Sequence, residues 1–157
     1  MDRMENARTA NTSDRTWPEW VTLVFGVVYL AVGALGFAVT GGVGFAAHNG
    51  NTLLGFELNP LHNIVHLAIG AALVAGFLGG RRPTGLIATL IGAVYLLVGV
   101  VGPFVTGTKA NILALNTADH FLHIASAIVL LIAGIAALRM DTPATTRESR
   151  TDLRRAA

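Results

Sequence analysis

His62 and His66 are four residues apart, as are Asp119 and His123, so each pair would share one face of a helix. Imidazole and carboxylate groups are what zinc, copper or iron sites are made of, and these four residues form a candidate metal-ligand set. His66 and His123 alone could ligate a haem iron from two sides, or belong to a proton or ion path through a membrane. The third reading needs no ligand: neutral histidines, with Asn59, Asn116, Asp119 and nearby threonines, would form a hydrogen-bond network between helices. These readings remain open on residue types alone. His120 falls on a different face and is a lesser candidate, while His48, in a Gly/Asn-rich stretch, is expected to be solvated.

The elements that must position these groups follow from composition. Of 157 residues, 53% are hydrophobic and only 20 are charged, seven of them in residues 1–19 and eight in residues 139–157. The span between carries Glu57, Arg81, Arg82, Lys109 and Asp119. A soluble fold could not cover its surface with so few, so lipid must be part of the solvent and a water-soluble enzyme is excluded. There is no cysteine, hence no disulfide or thiolate chemistry. With a net charge of +2 and no basic groove, nucleic acid is not an expected partner.

Apolar runs at 20–40, 60–79, 85–106 and 118–138 are each near the ~20 residues needed to cross a bilayer as a helix. The expected fold is all-α, a four-transmembrane-helix bundle between two polar tails, 1–19 and 139–157. The first run is too long for a cleaved signal peptide and is expected to be kept. Ten of the eleven basic residues fall on one side of this arrangement, and only Lys109 on the other. Both termini and the Arg81-Arg82-Pro83 turn are therefore expected in the cytoplasm, with Trp17 and Trp20 at the inner interface of the cell membrane.

An internal repeat organises the chain. VFGVVYLAVGALGFAVTG (24–41) aligns with LIGAVYLLVGVVGPFVTG (90–107), pairing Gly26 with Gly92, Tyr29 with Tyr95, Gly33 with Gly99, Gly36 with Gly102 and Thr40 with Thr106. LNPLHNIVHLAIG (58–70) aligns with LNTADHFLHIASA (115–127), pairing Asn59 with Asn116, His62 with Asp119 and His66 with His123. The expected bundle is thus two tandem two-helix repeats related by an axis along the membrane normal, with the first outer loop nine residues longer. The Tyr/Gly/Gly/Thr positions share one face in each repeat, which suits close helix packing or leaves room beside the glycines for a bound group. Asn59-Pro60 and Asn116-Thr117-Ala118-Asp119 are helix-start signals. They place His66 about seven residues, or roughly 10 Å, below the outer surface.

The paired stretches LLGFELNPLHNIVHLAIG and LALNTADHFLHIASA resemble a bacterial family of small four-helix integral membrane proteins described as a domain of unknown function, frequent in high-GC Gram-positive bacteria. The similarity covers residues 20–138 and implies membrane location and four spans; it implies no reaction. No phosphate-binding loop, serine-nucleophile motif or paired-carboxylate hydrolase signature stands at a believable position, which points away from an enzyme. The leading expectation is a structural or accessory membrane protein with a polar histidine layer near its outer face. A metal- or haem-binding redox module comes second and a small ion or proton transporter third. Lipid is the expected partner, and a second copy or another membrane protein remains open.

Overall fold

The computed structural model describes residues 15–141. Four helices dominate: α1 (Trp17–Val39), α2 (Pro60–Gly79), α3 (Arg81–Val105) and α4 (Thr117–Met140). All four are long and apolar enough to cross a membrane. Their outward faces carry exposed Val, Leu, Ile and Phe, among them Val24, Leu35, Leu97, Phe104 and Ile132, a surface suited to lipid rather than water. The inner faces meet around Tyr29, Leu73, Ala88, Ile91, Tyr95, Ala127 and Leu130.

The helices start where their residues satisfy free N–H groups. At α1 the Glu19 carboxylate accepts from the Thr16 N–H and hydroxyl, both at 2.9 Å, and binds Arg15 at 2.8 Å. Arg15 also donates to the Phe77 carbonyl at the end of α2 and lies over the Phe77 ring, 4.5 Å from its centroid. Gly80 alone separates α2 from α3. Its φ of +97° is open to glycine at little cost, and α3 begins at Arg81, earlier than the apolar run from 85 indicates. Pro83 is tolerated there because a first-turn N–H has no intrahelical partner to lose. The Thr84 hydroxyl, within hydrogen-bond distance of the Gly76 and Gly80 carbonyls (both 2.9 Å), ties the turn.

Helix contacts are closest within the pairs α1/α2 and α3/α4. A Cβ on Gly26 would come within 3.1 Å of the Gly70 carbonyl, and one on Gly70 within 2.8 Å of the Gly26 carbonyl, so the two backbones touch. Gly92 approaches the Ala127 carbonyl (3.2 Å) and Leu131 in the same manner. Gly33 lies against the Asn63 carbonyl and Gly99 against that of His120. Such approach is how membrane helices gain packing energy without a hydrophobic drive between them.

One element lies outside the all-α expectation. Between α1 and α2 the chain forms an antiparallel hairpin, β1 (Asn51–Leu53) and β2 (Phe56–Leu58), with Asn51 opposite Leu58, Thr52 opposite Glu57 and Leu53 opposite Phe56. Its two-residue turn, Leu54-Gly55, has positive φ at both positions (+53° and +92°), the condition for a type I′ connection. The hairpin occupies the longer of the two loops at this end of the bundle.

Candidate functional site

The site is built at the hairpin end. Asn59 caps α2 by accepting from the His62 N–H at 2.8 Å, and its amide donates to the Ala47 and Ile112 carbonyls, both at 2.8 Å. Asn116 caps α4 by accepting from the Asp119 N–H at 3.1 Å, and the Asp119 carboxylate returns the bond to the Asn116 N–H at 2.9 Å. The Asn116 amide also reaches the Gly55 carbonyl in the hairpin turn (2.9 Å). Asn111 holds the third connection, accepting from the Leu115 N–H (2.8 Å) and donating to the Leu115 and His48 carbonyls (2.9 and 3.2 Å). Three asparagines therefore fasten the hairpin and both loops to the helix starts. The caps were readable from sequence; these cross-loop bonds, and Asn111, were not, because they join segments far apart in the chain.

Beneath the hairpin lies a chamber of about 100 Å³, walled by Leu53, Leu54, Phe56 and Leu58 above and by Tyr29, Tyr95, His66, His123 and Asp119 from the helices. Rings assemble in two similar pairs, Tyr29 with His66 at 5.4 Å between centroids and Tyr95 with His123 at 4.7 Å, and the tyrosines meet edge to face at 5.4 Å. His62 lies behind them, 4.3 Å from the His66 ring and 6.3 Å from that of His123. His62, His66, Asp119 and His123, the candidate metal set, are all buried at this end. Among the described residues, however, no three His, Asp or Glu side chains are placed to share one metal ion. The Asp119 carboxylate serves the helix cap. Its backbone carbonyl, not its side chain, holds His123, whose Nδ1 donates to it at 2.6 Å. Since a carbonyl only accepts, a neutral His123 ring carries its proton on Nδ1 and leaves Nε2 as an acceptor. The chamber beside His66 and His123, the candidate haem pair, has a volume of about 100 Å³, below the ~300–1,000 Å³ of ordinary ligand pockets.

His66 is 6% exposed and its Nδ1 has no hydrogen-bond partner in the protein. The His62 ring faces the backbone of Leu113 and Glu57 without a well-formed hydrogen bond. The Tyr29 hydroxyl faces those of Ser126 and Tyr95. A buried unpaired polar atom costs about 1–3 kcal/mol, so His66 Nδ1 and the His62 ring nitrogens are costly atoms of this layer.

His120 belongs to a separate contact. Its Nε2 is 2.9 Å from the Thr106 hydroxyl, and its Nδ1 lies against Gly102 without a polar partner. Asn63 stands in the corresponding place beside α1, donating from Nδ2 to the Thr40 hydroxyl at 2.9 Å while Oδ1 lies unpaired against Gly36. In both cases a bare acceptor faces the hydrogen that a Cβ would replace, an arrangement that fits a weak Cα–H contact. His48 is exposed in the loop. The tyrosines are the site residues that sequence reasoning assigned only to packing; their alignment opposite each other in the two halves was the available signal.

A four-helix bundle with lipid-compatible outer faces and a buried polar layer near one end defines a multi-pass membrane protein. The chain belongs to the family described as a domain of unknown function, DUF4383, whose model matches residues 19–136. No curated protein and no solved structure matches it.

Proposed function

We propose that this is an accessory protein of the cytoplasmic membrane, with both termini in the cytoplasm, whose His/Tyr chamber binds a small neutral group by hydrogen bonds and not a metal or haem. The observation that carries the reading is the chamber wall: the rings of Tyr29, His66, Tyr95 and His123 gather beneath apolar hairpin side chains, and His123, held through Nδ1, keeps Nε2 as an acceptor. A chamber with mostly apolar walls and a few directed polar atoms has the composition of a small-molecule site. The orientation rests on the one-sided distribution of arginines, which puts the chamber on the outer side. Descent from a duplicated helix pair is supported by the matched contacts Gly26/Gly70 and Gly92/Ala127, and Asn63/Thr40 and His120/Thr106.

Elemental analysis and an absorption spectrum of the purified protein, beside a His66→Ala control, test it. The expected result is no stoichiometric transition metal and no Soret band in either protein. A metal or haem signal present in the wild type and lost in His66→Ala would overturn the reading.

A further inference from the structure

The chamber is not enclosed by helices on every side. The α1/α4 pair is less closely packed than α1/α2, α2/α3 or α3/α4, and an apolar groove of about 340 Å³ runs along that seam on the face suited to lipid. Val24, Val28, Leu122 and Val129 form its walls, and Tyr29 and His66 lie at its inner end. Tyr29 and His66 also line the chamber, so the groove and the chamber adjoin at these two side chains.

We propose that chamber and groove together bind an isoprenoid quinone, with the ring head in the chamber and the prenyl tail along the α1/α4 seam toward lipid. This rests on the chamber reading above and names its guest. Four properties select that class. The only charged side chain in either lining is Asp119, so no cation is present for a phosphate or carboxylate head and an anionic one would be repelled. The head must therefore be neutral. Aromatic rings of Tyr29, His66, Tyr95 and His123 make a wall that suits a flat ring over a branched polyol. Hydrogen-bonding capacity is of both kinds: the Tyr29 hydroxyl can donate to a quinone carbonyl, and His123 Nε2 can accept from a quinol hydroxyl. Finally, apart from Ser126 and the two shared rings the groove is lined by apolar side chains, as a prenyl tail needs and a water-soluble ligand does not.

The test uses the full-length protein in lipid nanodiscs and a photoactivatable azido-decylubiquinone, with adducts mapped by mass spectrometry. Labelling is expected on residues 24–32 and 122–129, suppressed by excess decylubiquinone. It should fall at least tenfold in His66→Ala. It should fall equally in Ala125→Phe, which fills the groove from an exposed position and leaves the chamber intact. Thermal unfolding of each variant shows whether it is folded, and the folded Ala125→Phe protein decides if His66→Ala is not. Labelling spread over all lipid-facing helices, or unchanged in Ala125→Phe, overturns the proposal. Competition by decanol with none by decylubiquinone also overturns it, while leaving the neutral chamber standing. A Soret band or bound metal would overturn the chamber reading itself.

Discussion

Gly36 and Gly102 offer the sharpest test of how the bundle is held. A Cβ at Gly102 would lie 2.5 Å from His120 Nδ1 and 2.6 Å from its Cε1, and one at Gly36 would lie 2.6 Å from Asn63 Cγ. Ordinary contact distances are ~3.5–4.0 Å, so each neighbour would have to retreat by about 1 Å. Neither ring nor amide can do so freely, because each is tied to a threonine hydroxyl at 2.9 Å. Overpacking costs about 1–3 kcal/mol and a lost hydrogen bond about 0.5–1.5 kcal/mol. Gly36→Ala and Gly102→Ala should therefore each destabilise by roughly 2–4 kcal/mol, taking the two terms together. Gly41→Ala is the control: nothing lies within 4 Å of its Cβ position, and a change within about 0.5 kcal/mol is expected. Unfolding in detergent measures all three. Adding His120→Ala to Gly102→Ala removes the obstructing ring, and the pair should show a coupling above about 1 kcal/mol. If Gly36→Ala and Gly102→Ala unfold with Gly41→Ala, the close approach is not what holds these helices together.

Reporter fusions at Asn49 and Ala157 should localise to opposite sides of the membrane, with Ala157 inside; finding both on one side would remove the four-span arrangement. Asn59→Ala should cost more than Asn116→Ala in a detergent melt. A cap alone is worth about 0.5–2 kcal/mol, and Asn59 also strands the Ala47 and Ile112 carbonyls, whereas Asn116 strands only that of Gly55. His120→Asn should cost under about 1 kcal/mol, since Asn63 performs the same contact with Thr40; a larger loss in the melting curve would show that the two halves are not interchangeable there.

The limits of sequence reasoning here follow from what periodicity encodes. Apolar run length marks a span whatever surrounds it, so all four helices were readable, as were Asn59 and Asn116, whose capping bonds reach only three residues along the chain. The start of α3 was less so: Arg81 and Pro83 look like a turn in composition, and only the conformation of Gly80 lets the helix begin there. The hairpin was missed because its turn is Leu54-Gly55, with a leucine where asparagine or glycine is the usual signal for positive φ. Spacing of four put His62 with His66 and Asp119 with His123 on shared faces, and all four are indeed buried at one end. What spacing cannot encode is which atom of each residue is already engaged. Asp119 belongs to the set by position, yet its carboxylate is occupied by the Asn116 N–H and its carbonyl by His123. That prior engagement changes the chemistry of the layer: a carboxylate committed to a helix start is a poor part for a shared metal sphere, whereas a His123 ring held through Nδ1 keeps Nε2 as its one acceptor. Together they fix one rigid wall of the proposed chamber. The Tyr29–Tyr95 contact across the bundle, 5.4 Å between centroids, gives that wall its shape, and it joins residues of two different helices, which no local pattern in either could pair.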